Sequence, residues 1–340
     1  MQRLVLKGAG EVAWEDVAEP TLPSDDAAIV RPLTLATCDL DVAVLQGRYP
    51  LEGPYPFGHE GVAEVVEVGA AVTTVTPGDR VIVPFQISCG RCVPCRRGRT
   101  GNCAAHPPMT TYGLGPLGGL DWGGLAADLA AVPHADAMLV ALPDGVAPTT
   151  AASCSDNVPD AWRCVGPQLA EEPGAEVLVV GGDGGSNSIG LYAAGLAITL
   201  GAARVVYLDD DADRLAVAET FGAQVIDGPP RRIGSFPITV DAAGSEAGLR
   251  CAIESTSRDG TCTSAAVYLN DPSLPLLGMY TRCCTFHTGR AHARAALPGV
   301  LDAVAAGFDP SLVTSTVADW DDAVDALADP PMKLVLSRAA

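Results

Sequence analysis

Glu176-Val177-Leu178-Val179-Val180-Gly181-Gly182-Asp183-Gly184-Gly185-Ser186-Asn187-Ser188-Ile189-Gly190 is the stretch on which the fold turns. A run of apolar, mostly β-branched residues stopped by glycine reads as a buried strand. The apolar positions over 189–200 read as a helix. A glycine-rich turn between strand and helix brings backbone N–H groups and a helix N-terminus up to an anion such as a pyrophosphate. The turn is not a regular G-x-G-x-x-G. Gly185 and Gly190 fit the outer positions, Asn187 stands at the middle one, and the turn is longer than usual. Its candidate contacts are Gly182, Gly184, Gly185, Asn187, Ile189 and Gly190.

Towards the C-terminus the same texture repeats. Strand patterns over 204–208, 225–226 and 238–240 alternate with a helical pattern over 212–221, which calls for a parallel sheet with crossover helices. Asp209 ends the second strand pattern. A carboxylate there bonds the hydroxyls of an adenosine ribose and repels a 2′-phosphate, and Asp210 and Asp211 add to the repulsion. The expected nucleotide is therefore NAD rather than NADP. A further helix over 297–306 and a strand around 333–336 complete this half of the chain.

Towards the N-terminus the texture changes near Ala147. Short Val- and Ile-rich segments over 27–35, 61–68 and 80–84 are bounded by Pro, Gly or Asp, and Pro77-Gly78-Asp79 marks a turn. The Gly-rich stretch 111–124 reads as a loop. With 340 residues, the chain exceeds what one core usually serves, so two domains are expected.

Cys89, Cys92, Cys95 and Cys103 form C-x2-C-x2-C-x7-C. Four thiolates so close in sequence close a tetrahedron around one zinc and leave no open position, which makes this a structural site. Eleven cysteines in all suit a reducing compartment, where clustered thiols bind metal rather than pair. The formal net charge of −20 repels nucleic-acid backbones. Residues 1–10 show no signal peptide, and no apolar run is long enough to span a bilayer. A cytoplasmic protein without nucleic-acid or membrane partners is expected.

Gly58-His59-Glu60, with Gly69 and Val72 behind it, the four-cysteine segment and the glycine turn occur in the order found in the zinc-dependent medium-chain dehydrogenase/reductase (alcohol dehydrogenase) family, which the whole chain resembles. Ala63 departs from that signature, which usually has Gly there. The resemblance implies an α/β protein. A GroES-like β-rich catalytic domain spans 1–150 and is completed by 291–340, and a Rossmann domain with a doubly wound parallel sheet spans 151–290. It places a catalytic zinc on Cys38, His59 and a third ligand from the segment Ser153-Cys154-Ser155-Asp156-Asn157-Val158-Pro159-Asp160. Cys154 and Asp156 compete for that role. Asp156 is favoured, because the Ser-Asp-x-x-Pro pattern resembles the glutathione-independent formaldehyde dehydrogenase branch. Glu60 is the neighbour expected to bond the ligands or to bind the metal transiently. Arg214 matches a basic position near the adenosine ribose, Ala266 a stretch lining the nicotinamide, and Lys333 a basic position that reaches the pyrophosphate.

The implied chemistry is hydride transfer between a zinc-polarised alcohol or polyol and NAD, giving an aldehyde or ketone. The cofactors would be NAD and about two zinc ions per chain. The family's usual proton relay is broken, since Leu40 and Ala43 replace its polar residues; Asp39, Thr37 or a water are the substitutes. The resemblance also implies a homodimer or homotetramer and a small-molecule alcohol or aldehyde substrate. Two other readings compete: a formaldehyde or aldehyde-hydrate dehydrogenase or dismutase, and a non-catalytic zinc- or nucleotide-binding relative.

Overall fold

The computed structural model describes residues 1–51, 53–115, 122–182, 187–228 and 230–338. The chain forms two compact units. One comprises Met1–Pro159, His292–Pro298 and Thr314–Ala340; the other comprises Asp160–Ala291 and Gly299–Val313. Among the described residues no helix is long and apolar enough to cross a membrane.

The first unit is built on a seven-stranded, mostly antiparallel sheet. Ala28–Ala36 lies at its centre, flanked by Glu60–Val68 and Leu334–Ser337. Eight of its nine residues are at least partly buried, as a strand covered on both faces requires, and Arg31 alone is exposed. Leu4, Leu6, Val30, Phe57, Val81 and Leu336 share one core. Register does the work that matters for function. Ala36 pairs with Glu60 on one side and with Val335 on the other. This sets Thr37, Glu60 and Lys333 at one level of the sheet. The short turn Ala152–Ser155 is pinned to the same level, since Gly61 N–H donates to Ser155 Oγ at 2.8 Å.

The second unit is a six-stranded parallel sheet. Its strands lie side by side as Gln224–Asp227, Val205–Asp209, Val177–Val180, Phe236–Asp241, Thr256–Ser264 and Thr285–Thr288. Numbered along the chain this is 3-2-1-4-5-6, the order of a doubly wound dinucleotide-binding sheet. Helices Asn187–Thr199, Ala212–Phe221 and Glu246–Ser255 connect the strands. Val177–Val180 is buried throughout, which is why it reads as an unbroken apolar run. Asn187–Thr199 packs so close to the sheet that a Cβ at Gly190 would lie 3.0 Å from that of Ala242. Gly190 therefore serves helix–strand packing, the role of a third glycine in such a turn.

Most of the expected strands and helices appear with ends displaced by a residue or two; the helix expected over 297–306 begins four residues earlier, as Ala293–Ala305. The helix after the glycine turn begins at Asn187 instead of 189, and the terminal strand begins at Leu334, leaving Lys333 just outside it.

Candidate functional site

Among the described residues, two groups of metal-ligand side chains converge: Cys38 with His59 and Asp156, and Cys89 with Cys92, Cys95 and Cys103. Within each group the ligand atoms lie within 4.8 Å of one another.

Cys38 is held by local capping. It precedes helix Asp39–Leu45, its Sγ accepts from Asp41 N–H at 3.3 Å, and its own N–H donates to Asp41 Oδ2 at 3.0 Å. Two orphan donors of the helix N-terminus are thereby satisfied, and the sulfur is fixed in direction. His59 stands just before strand Glu60–Val68, its ring 5.6 Å from that of Phe85. Its Nε2 lies 3.2 Å from Asp156 Oδ2. Its Nδ1 has no hydrogen-bond partner and faces Asp41 Oδ1 at 3.6 Å. Asp156 follows the turn Ala152–Ser155 and is the only member of the three that touches solvent appreciably, with 13% of its side chain exposed. Cys154 sits in the same turn, fully buried and outside the group, so the segment presents Asp156 to Cys38 and His59.

The electrostatics of this cluster suit a bound cation. Burial, then the carboxylates of Asp41, Asp156 and Glu60, push the Cys38 thiol well above its ordinary range. Burial opposes charge on His59, yet Asp41 and Asp156 raise its pKa to about 9. Glu60 aside, which is paired with Lys333, the carboxylates of Asp41 and Asp156 and the Cys38 thiol face one imidazole, an excess of acidic groups that a bound cation would offset. A thiolate, an imidazole and a carboxylate are also the ligand types zinc takes, and three protein ligands leave a fourth position open. The donor set and its charge fit zinc.

Beneath the three ligands lies a polar layer that the sequence reading did not assemble. Lys333 is fully buried, and its Nζ donates to Thr37 O at 2.6 Å, Glu60 Oε2 at 2.6 Å and Asn157 Oδ1 at 2.8 Å. The other oxygen of Glu60 accepts from Asn157 N–H at 2.7 Å. Lys333, read in the sequence as a pyrophosphate contact, here stands just before strand Leu334–Ser337 with its ammonium against Glu60. Asn157 was missed as a site residue; its only sequence signal is adjacency to Asp156. Asp41, which matches a family aspartate of structural role, joins the site through its cap spacing from Cys38. Of the relay substitutes, Asp39 opens its helix half-buried and stays outside the ligand group. The Thr37 hydroxyl accepts from Leu334 N–H at 3.1 Å. Leu40 packs on an apolar patch of Phe85, Leu114 and Ala293.

The four-cysteine group is of another kind. Cys92 caps the short helix Val93–Arg96, and backbone N–H groups of Cys89 and Ala104 donate to Cys103 and Cys92 sulfurs at 3.4 Å each. N–H groups of Cys95 and Ala104 bring the Cys92 thiol down to about 6, whereas burial lifts Cys95 to about 12. Gly90 takes φ +70°, and a Cβ there would meet that of Ala137 at 2.8 Å, so the loop is shaped for glycine. All four donors are sulfur, one of the donor sets that close a structural zinc site.

At the nucleotide turn, Gly184 and Gly185 lie outside the described residues; Gly182, Asn187, Ile189 and Gly190 flank them. Ala266 is buried just beyond strand Thr256–Ser264. Asp209 behaves otherwise than expected. Its carboxylate is fully buried and accepts from Arg214 Nε at 2.9 Å, Arg214 NH2 at 2.6 Å, Tyr207 OH at 2.8 Å and the N–H groups of Asp210 and Asp211. Burial opposes its charge, but Arg214 and Tyr207 hold it below the usual carboxylate range. A Cβ on Gly181 would meet Asp209 Oδ2 at 2.2 Å, so the bare backbone of the turn rests on this carboxylate. Asp210 and Asp211 remain accessible, at 51% and 39% side-chain exposure.

The sequence matches the alcohol dehydrogenase GroES-like domain family over residues 24–144. It is 30% identical over 339 residues to a probable zinc-binding alcohol dehydrogenase of Mycobacterium tuberculosis, covering 96% of this chain and 85% of that one. It is 32% identical over 246 residues to a glutathione-independent formaldehyde dehydrogenase of Bacillus subtilis, covering 66% of this chain and 58% of the relative. Among solved structures, an alcohol dehydrogenase of Thermus sp. ATN1 superposes with a TM-score of 0.87 at 27% identity, over 100% of both chains.

Proposed function

The chain belongs to the zinc-dependent medium-chain dehydrogenase family, and from that premise we propose that it is an NAD-preferring alcohol or polyol dehydrogenase with one catalytic and one structural zinc. The observation that carries the reading is the convergence of Cys38, His59 and Asp156 from three distant segments into one ligand group. A purely structural protein has no use for an open zinc position; the four-cysteine loop already serves that need.

Zinc bound there supplies a Lewis acid for an alcohol or carbonyl oxygen. The chain's own residues prepare the rest. Asp41 faces Nδ1 of His59 and leaves Nε2 to the ligand side. Glu60 stands beneath the ligands, its two oxygens held by Lys333 and Asn157. Leu40 and Phe85 supply an apolar wall where family members carry a hydroxyl. With Leu40 and Ala43 in place of relay groups, the alcohol proton is left to Asp39, Thr37 or a water.

The NAD preference rests on the three aspartates after strand Val205–Asp209 and on Arg214, whose guanidinium is committed to Asp209 and so is not offered to a 2′-phosphate. Asp209→Ala breaks this pair. It should cost about 3 kcal/mol, because a buried guanidinium loses its main partner. The ratio of kcat/KM for NAD over NADP should shrink along with the stability. An unchanged ratio in a folded variant removes Asp209 from cofactor choice.

The test of function is NADH formation across primary alcohols, secondary alcohols, polyols and formaldehyde, with NAD and NADP side by side. Turnover of an alcohol class with NAD is expected. Turnover of formaldehyde alone supports the second reading, which the likeness to formaldehyde dehydrogenase around Ser155-Asp156-x-x-Pro159 favours. Silence across the panel with zinc and NAD bound sinks both. Within the leading reading the protein is a cytosolic homodimer or homotetramer.

A further inference from the structure

The Lys333 ammonium donates to oxygens of three described residues, and each of these is the chain neighbour of a different candidate zinc ligand. Thr37 precedes Cys38, Glu60 follows His59 and Asn157 follows Asp156. The segments that carry the ligands are far apart in sequence, and a single buried cation joins all of them. The link to Asp156 is closer still. Lys333 holds the Asn157 side-chain oxygen, which fixes which way the amide faces and turns Nδ2 to Asp156 Oδ2 at 3.2 Å. That oxygen is the one that lies beside His59.

We propose that Lys333 is the positioning residue of the open zinc site, a three-way tie that sets the relative placement of Cys38, His59 and Asp156. The inference rests on the reading of those three side chains as zinc ligands. Side-chain chemistry suits the role. An ammonium is a compact point charge with three tetrahedrally directed protons, which fits three convergent oxygens, whereas a guanidinium is a planar fork. The composition points the same way. Lysine and arginine together number 21, yet lysine occurs only at Lys7 and Lys333. A chain that otherwise builds its cations from arginine has a lysine at this buried position.

The experiment compares wild-type protein with Lys333→Met and with the double variant Glu60→Gln/Lys333→Met, which removes both buried charges together. Two quantities are read: the rate at which each zinc passes to a chromophoric chelator, and the ligand-field absorption of the protein with cobalt(II) at the open site. The four-cysteine zinc of the same molecule reports that the protein is folded. Loss of an outer hydrogen-bond partner typically costs about 10–100-fold in metal affinity. Both variants should therefore release the open-site zinc about 10–100-fold faster and shift the cobalt bands, while the four-cysteine zinc leaves at its wild-type rate. If Lys333→Met does not fold, the double variant decides, because it leaves no unpaired carboxylate yet still cuts the links to Thr37 and Asn157. Wild-type release and wild-type cobalt bands in either folded variant overturn the tie. A wild-type protein that holds zinc only on its four cysteines overturns the zinc reading, and the tie falls with it.

Discussion

The two cysteine-bearing clusters solve the same problem by opposite means. Between Cys89 and Cys103 a single loop supplies every ligand, its glycines shape the turn, and its own backbone N–H groups direct the sulfurs. Cys38, His59 and Asp156 come from a helix cap, a strand entry and a turn, and none of them is near another in sequence. The loop brings down one thiol by backbone bonding, whereas the open cluster pushes its thiol up by burial and surrounding carboxylates. The contrast teaches that a closed site is a local property of a peptide, while an open site must be assembled against electrostatic resistance by the fold around it.

The sharpest way to break the comparison is to remove the ligand that distinguishes the open cluster. Asp156→Ala should take turnover to background and reduce zinc from about two ions per chain to about one. Cys154→Ala should change neither. Metal analysis beside NADH kinetics checks both, and the reverse pattern would reassign the ligand. Next in size is Cys89→Ser. It should release the loop's zinc and lower thermal stability, because a structural zinc contributes folding free energy directly. The Cys38 site should keep its metal in the folded fraction. If both ions leave together, the two sites are not independent and the contrast fails. The mildest test is Asp41→Asn, which keeps the cap geometry but removes the charge facing His59 Nδ1. A loss of about 10-fold in zinc affinity at the open site alone is expected, measured by competition with a chelator. An equal change at the four-cysteine loop would show that Asp41 acts through general stability instead.

Much of this was legible from residue order. The parallel sheet follows from apolar runs such as Val177–Val180 alternating with helical patterns, since strands buried on both faces leave that mark. Cys38 and His59 were legible by resemblance to a family signature. Less legible was anything that depends on where a side chain turns. Asp209 reads as a ribose ligand because it ends a strand after a glycine turn. The structure shows its carboxylate drawn inward by Arg214 and Tyr207 beneath Gly181. Spacing does not encode that choice, because the competing partners come from the helix and strand packed against it.

By itself, then, the sequence determined the β-rich and parallel-sheet halves, the four-cysteine loop and the acidic strand end, all of which leave a mark in the pattern of near neighbours along the chain. Only the tertiary structure decided that Asp156 and not Cys154 faces Cys38 and His59, and that the Lys333 ammonium lies against Glu60. Both decisions hang on how distant segments are brought together. Leu334–Ser337 pairs with Ala28–Ala36, and Ala28–Ala36 pairs with Glu60–Val68. Asp156 and Lys333 lie just outside these strands, so their partners are set by which strand ends and turns the sheet brings to one level.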